Sequence, residues 1–196
     1  MKKANLQVTV SILLLMLASW ACGENGQIDS SQLIPNDLSG KDLGLTDIIG
    51  YDLSGKILEQ TRFDGSRLND SKFVRADLKN ANLSSAFLDN ANFSFADLRW
   101  ANLSRTRSEG HTDFSSADLR GAIFISAHLQ NASFRHANLQ GADFTSAVLD
   151  GDDFSQANLS GSILSNSQIA TATFQCTKMP DGTIRNPDDT CKALNP

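Results

Sequence analysis

A large apolar residue falls at every fifth position through most of this chain, and that spacing limits its fold more than any other feature. The stretch ANLQGADFTSAVLDGDDFSQANLSG, residues 137–161, divides into ANLQG, ADFTS, AVLDG, DDFSQ and ANLSG. A period of five fits neither the turn of a helix nor the two-residue alternation of a strand. The series runs from Leu33 through Leu38, Leu43 and Ile48 to Leu103, then resumes at Phe114 and continues to Phe174. No position in either series is polar, and an internal repeat this long overrides any window-by-window assignment.

In an extended segment, residues two apart point the same way. The Ala that precedes the Leu or Phe by two in most repeats from Ala76 onward therefore faces inward with it. The Asp or Asn between them faces out. An odd period would turn the next repeat inside out unless the chain bends and resets its phase. The last two residues of each repeat, rich in Ser, Gly, Asn and Asp, suit that bend. Each repeat reads as one short side and one corner of a coil.

The number of sides follows from the aromatic residues. Between 114 and 154 the inward residue alternates Phe and Leu, so like residues stack only if a coil has an even number of sides. Two sides enclose little, which leaves four sides and twenty residues. The stretch Arg105 to His111 interrupts the rhythm, because Leu103 and Phe114 are eleven residues apart. If this bulge at 105–111 is one side with one extra residue, Phe73, Phe93, Phe114, Phe134, Phe154 and Phe174 form one column. Leu58, Leu78, Leu98, Leu119, Leu139 and Leu159 form the next.

The A(D/N)Lxx repeat, recurring from about Leu33 to Phe174, resembles that of the pentapeptide-repeat proteins. The resemblance implies an all-β fold, a right-handed quadrilateral β-helix (a solenoid) of about seven coils, which at about 4.8 Å per coil is roughly 34 Å long. Asn36, Lys41, Thr46, Tyr51 and Lys56 stand where the family places Ala, so the first coil or two is expected to be widened or loose. The domain reading is a signal peptide over 1–21, a linker over 22–32, the β-helix over 33–175 and a capping tail over 176–196.

The first segment is not fold. Lys2 and Lys3, an apolar run from Val8 to Leu17, and small residues before Cys22 read as a secretory signal. Its end resembles a bacterial lipoprotein signal, with Ala21 before a Cys22 that becomes the lipid attachment point. Ser19-Trp20-Ala21 also reads as an ordinary small-x-small cleavage site, which would leave the protein periplasmic or secreted. Gly23 after the Cys resembles sorting to the outer membrane, facing the periplasm. Three cysteines leave an odd one in an exported chain. With Cys22 lipidated, Cys176 and Cys191 remain as a disulfide pair, worth about 3 kcal/mol in the chain-entropy model. Two free thiols is the alternative. The bridge would pin the tail over the last coil as a lid.

Composition narrows the partners. The net charge is −5, and removing the first 21 residues, which carry only Lys2 and Lys3, leaves −7. That disfavours nucleic acid for the folded part. The second half is the more acidic, with Asp118, Asp143, Asp150, Asp152 and Asp153 against Arg120 and Arg135. No catalytic set is legible. The serines sit at turns, no G-x-S-x-G elbow occurs, and His111, His128 and His136 are scattered. The Asp150, Asp152, Asp153 group reads as a solvated corner rather than a cation site. No cofactor and no metal are expected.

What remains is surface. Phe87, Phe95, Trp100, Ile123, Ile125 and Val148 fall at outward positions. Phe95 and Trp100, on neighbouring corners, are the candidates for a protein partner or a homodimer contact, with simple surface scatter as the alternative. The bulge, with Arg105, Arg107 and His111, is the second candidate, because binding residues concentrate on loops of a rigid scaffold. The leading expectation is a non-enzymatic, exported, lipid-tethered scaffold or protein-interaction module at the cell envelope. Other members of the family mimic DNA and bind gyrase; rod shape and acidity suit that reading, and the export signal opposes it.

Overall fold

The computed structural model describes residues 34–185 and Cys191. Residues 1–21, expected to be a signal peptide, the expected linker 22–32 with Cys22, Leu33, and 186–190 and 192–196 of the expected capping tail lie outside the described residues.

Two consecutive residues turn the chain at nearly every fifth step. The second of them has positive φ, 55° at Asn80, 58° at Trp100 and 66° at Gly40. Glycine and short polar residues reach this region most easily, which explains their enrichment at the end of each repeat. Most turns are closed by the N–H of the following inward small residue. Ala76 donates to the Phe73 carbonyl at 3.0 Å and Ala142 to that of Leu139 at 3.0 Å. The Asp or Asn of the repeat fastens the other side. Asp37 Oδ1 accepts the N–H of Ser39 at 2.8 Å, and Asn92 Oδ1 that of Ser94 at 2.8 Å. The alternation of Asp and Asn is thus a corner device as well as an outward polar position.

Each unit is too short to form an extended strand, and most pairing consists of single parallel bridges. The partner lies twenty residues on: Asp37 with Ile57, Arg62 with Asn82, Asp118 with Asn138. Four five-residue units fill that interval, so four parallel ladders stack lap upon lap into a β-solenoid. We number its walls by their inward columns. The first carries Phe73 and Phe93, the second Leu78 and Leu98, the third Leu83 and Leu103, the fourth Leu68 and Leu88.

Along the first wall the rings of Phe73, Phe93, Phe114, Phe134, Phe154 and Phe174 stack in sequence, with centroids 4.7–5.3 Å apart. Phe124 and Phe144 stack at 4.7 Å on the third wall. They meet the first column edge to face, Phe124 lying 6.0 Å from Phe114 and 5.8 Å from Phe134. Edge-to-face contact matches the positive ring edge to the negative ring face. The alanines from Ala76 to Ala157 are buried beside these columns and leave room for the rings. In earlier laps Thr61 and Ser66 take their place, and each hydroxyl donates to a main-chain carbonyl of the preceding lap. Thr61 reaches Leu38 at 2.8 Å and Ser66 reaches Leu43 at 2.7 Å, so neither buries an unpaired donor. The ladder therefore begins at Asp37 without a break in register, although Leu38 and Tyr51 are only partly covered.

The bulge leaves this architecture in place. Phe87 pairs with Arg107 at an interval of twenty, whereas Asn92 pairs with Asp113 at twenty-one, which locates the extra residue between 107 and 113. Strand β1 (Arg107–Ser108) runs parallel to β2 (His128–Leu129), with Ser108 opposite Leu129. Ser108 thus fills an inward place on the fourth wall. Its hydroxyl donates to the Gly110 carbonyl at 2.7 Å, while Thr112 Oγ1 donates to Leu88 at 2.9 Å. A small polar knot replaces one leucine.

At the far end the parallel register continues to Lys178, past the loss of rhythm after Phe174, and Met179 packs against the core. The chain then reverses. Strand β3 (Thr177–Lys178) pairs antiparallel with β4 (Ile184–Arg185), closed by the N–H of Met179 on the Thr183 carbonyl at 2.7 Å. The Arg185 guanidinium sits 4.6 Å above the Phe174 ring and covers the end of the aromatic column. A disulfide joins Cys176 to Cys191.

Candidate interaction surfaces

The interior is filled by ring stacks and leucine columns, so the side chains open to contact lie on the outer walls and corners. Among the described residues no group of three His, Cys, Asp or Glu is placed to hold a metal ion. No helix among them is long and apolar enough to cross a membrane.

The second wall carries a ladder of charge. Lys79 bonds Asp77 at 2.6 Å and reaches Asp97 at 3.6 Å; Arg99 bonds Asp97 at 2.7 Å and reaches Asp118 at 3.8 Å; Arg120 bonds Asp118 at 2.6 Å. Hydrogen bonds to the aspartates raise the pKa values of Lys79, Arg99 and Arg120. Partial burial of Asp97 opposes its ionisation, but hydrogen bonds from Arg99, with the charges of Arg99 and Lys79, outweigh it and hold the carboxyl below its ordinary value. This face is electrostatically satisfied within itself.

Phe95, Trp100, Arg105, Arg107 and His111 belong to a single lap and ring the solenoid. Phe95 stands at the corner of the first and second walls and Trp100 at the corner of the second and third, 55% and 56% exposed. They flank the charge ladder, so these two share a face. Arg75 lies 5.2 Å from the Phe95 ring and Arg99 lies 5.6 Å from that of Trp100. Arg105 occupies the next corner, Arg107 points out from the fourth wall, and both are exposed. Arg107 follows Phe87 and precedes His128 on one ladder, giving an aromatic ring, a guanidinium and an imidazole in succession. His111 lies at the remaining corner, its Nδ1 2.8 Å from the Asn131 carbonyl oxygen. The structure therefore pairs Phe95 with Trp100 and Arg105 with Arg107, on opposite walls.

One residue departs from the expected pattern. Asp152 is not part of a solvated corner; it is fully buried in a place that the ladder otherwise gives to Ala132 and Ala172. Its Oδ1 accepts the N–H of Ala132 at 2.8 Å and its Oδ2 has no hydrogen-bond partner. Burial, reinforced by nearby Asp150, pushes its pKa up to about 8. Asp153 behaves as expected, facing out and bonding Arg135 at 2.8 Å. The spelling DDF in place of ADF was the available signal, and the phase of the repeat places its first Asp inward.

The pentapeptide-repeat family model, described as eight copies of the repeat, matches residues 42–80, 71–107 and 112–151. The chain belongs to the pentapeptide-repeat family. Among solved structures, this pentapeptide-repeat chain is similar to HetL, a protein involved in heterocyst differentiation regulation in the cyanobacterium Nostoc sp. strain PCC 7120. The two are 24% identical over 87% of this chain and 98% of that one, with a TM-score of 0.36. It is also similar to QnrB1, a plasmid-mediated fluoroquinolone resistance protein, at 18% identity over 81% and 85% of the two chains, TM-score 0.43. A pentapeptide-repeat protein from the Arabidopsis thaliana thylakoid lumen is 31% identical over 63% of this chain and 76% of that one, TM-score 0.28. None of the curated proteins compared matches this chain.

Proposed function

We propose that this protein is a non-enzymatic, exported scaffold or protein-interaction module, held at the cell envelope by lipid on Cys22. In this reading residues 1–21 are a signal peptide and the family domain is a right-handed quadrilateral β-helix of about seven coils. The observation that supports it is the filled interior: among the described residues, stacked Phe and Leu columns, interrupted at Ser108 by a polar knot, occupy the inside of the solenoid, which leaves the walls and corners for contact with a partner. Phe95 and Trp100, exposed on either side of the second wall, form the candidate contact for a protein partner or a second copy. An N-terminus in a diacyl- or triacylated form would fix the rod to a membrane stably, as several acyl chains do.

Mass spectrometry of the mature N-terminus, combined with membrane fractionation, tests the anchor. A lipidated Cys22 in the membrane fraction is expected; an unmodified, soluble N-terminus removes the anchor from the account. Pull-down from envelope extract with the intact protein, and its loss with Trp100→Ala but not with a variant at Arg107, tests the contact face. Gyrase protection by the mature domain would favour the DNA-mimic reading instead, which the export signal opposes.

A further inference from the structure

One peptide bond connects the bulge to the buried carboxyl. The carbonyl of Asn131 lies 2.8 Å from His111 Nδ1, in the lap before it. The N–H on the other side of the same peptide plane, that of Ala132, donates to Asp152 Oδ1 in the lap after it. At this corner in other laps the equivalent N–H closes its own turn: Ala91 bonds Leu88 at 2.9 Å and Ala172 bonds Ile169 at 3.2 Å. At Ala132 the donor goes to Asp152 instead. The corner with the extra residue is the corner with the inward aspartate.

The corner that carries Asp152 is tightly packed on the lap before it. Gly151, at φ +84°, packs so closely on the preceding lap that a Cβ there would come within 2.5 Å of Asn131 Oδ1. The charged groups around it are few. Asp150 shares its corner and accepts long bonds from Thr171 on the next lap at 3.5 Å. His111 and exposed Glu109 lie on the bulge, where the Asp89 carboxylate accepts the N–H groups of Glu109 and Gly110 at 2.7 and 3.1 Å; Gln130 and Asn131 bring no charge, and Asp153 faces outward to Arg135. No cation forms an ion pair with Asp152 among the described residues.

We propose that this corner is a proton-controlled joint: ionisation of Asp152 shifts the Asn131–Ala132 peptide, frees His111 from the Asn131 carbonyl and loosens the 109–112 loop, which then keeps its bonds to Asp89, Ser108 and Leu88. The neutral carboxyl, with one hydrogen bond accepted on Oδ1 and its own O–H unmatched, costs far less to keep dry than the unpaired carboxylate. The carboxylate needs partners for Oδ2, and only water reaching an opened corner supplies them. The raised pKa of about 8 puts the change within reach of mild alkalinity. The loop is thus closed on the acidic side and loosened on the alkaline side.

The test is an amide NMR titration of the full 15N-labelled chain from about pH 5.5 to about pH 9.5. The signals of Gly110, His111 and Ala132 are expected to share a transition near pH 8. Asp152→Asn keeps an acceptor for Ala132 without the charge, and Asp152→Ala restores the residue type of the ladder. In both variants the shared transition is expected to vanish. His111→Ala is expected to leave Ala132 titrating and to uncouple Gly110. Three outcomes overturn the proposal: the transition survives in both Asp152 variants, Ala132 moves while Gly110 and His111 do not, or none of the three moves.

Discussion

Trp100 lies across Gly121 of the next lap so closely that a Cβ on residue 121 would come within 2.7 Å of the indole Cδ1. The same pairing recurs where Leu45 covers Gly65 at 2.7 Å and Asn131 covers Gly151 at 2.5 Å. A bulky corner side chain is followed, one lap on, by a corner without one. Gly121→Ala is expected to cost about 1–2 kcal/mol from its positive φ, as is Gly141→Ala, whose Cβ would meet nothing. Only Gly121→Ala should also displace Trp100. Tryptophan fluorescence in a Trp20→Phe background distinguishes them: the emission shifts for Gly121→Ala and stays put for Gly141→Ala.

Phe114 stacks on Phe93 and Phe134 and meets the edge of Phe124, fully buried. Phe114→Ala is expected to cost about 3–5 kcal/mol through lost burial and the cavity left between rigid laps. Phe114→Leu, a residue that neighbouring columns already accept, should cost markedly less. Thermal denaturation of the two variants measures the difference.

The five-residue spacing made the lap length and both leading columns legible, because period, alternation of Phe and Leu, and the eleven-residue gap all had to agree. The corners were only half legible. Asp37 and Asn92 read as outward polar residues, and their bonds to the second N–H onward could not be seen in composition alone. Ser108 and Asp152 escaped because each is a polar residue at an inward position, and its burial is permitted by a hydrogen-bonding neighbour, Thr112 beside Ser108 in the same lap and Ala132 beside Asp152 in the lap before. Phe95 with Trp100, and the bulge with Arg105, Arg107 and His111, read as two separate candidate surfaces, and a solenoid places residues ten apart, such as Phe95 and Arg105, on opposite corners.

Asp152 makes stability depend on pH. Its folded pKa is raised from 3.8 to about 8, so the native state holds a proton that the unfolded chain has lost across that window. Stability is therefore highest on the acidic side and falls as pH rises from about 4 to about 8. Asp152→Ala removes this slope and is expected to gain about 1–3 kcal/mol near neutral pH. Denaturant midpoints of both proteins across that window check the sign.

The charge ladder gives the opposite trend. Asp97 is held below its ordinary pKa, partial burial being outweighed by Arg99, so its contribution is present above about pH 4 and fades as pH falls through its folded value. Arg99→Ala should lower the melting temperature slightly at neutral pH and low salt. The gap to the parent protein should close in acid and in about 1 M salt, since these side chains are partly exposed.

The central claim is that every lap returns the chain above itself four units later, and that the bulge adds one residue without disturbing this. Asn92 and Asp113 face outward as ladder partners across the bulge, so cysteines at these positions test it directly. Oxidation of an Asn92→Cys, Asp113→Cys chain, mapped by mass spectrometry, should link the two introduced cysteines. An Asn92→Cys, Asp118→Cys chain should not link, because Asp118 pairs with Asp97 on the next wall. Linkage of 92 to 118 but not to 113 would contradict the account.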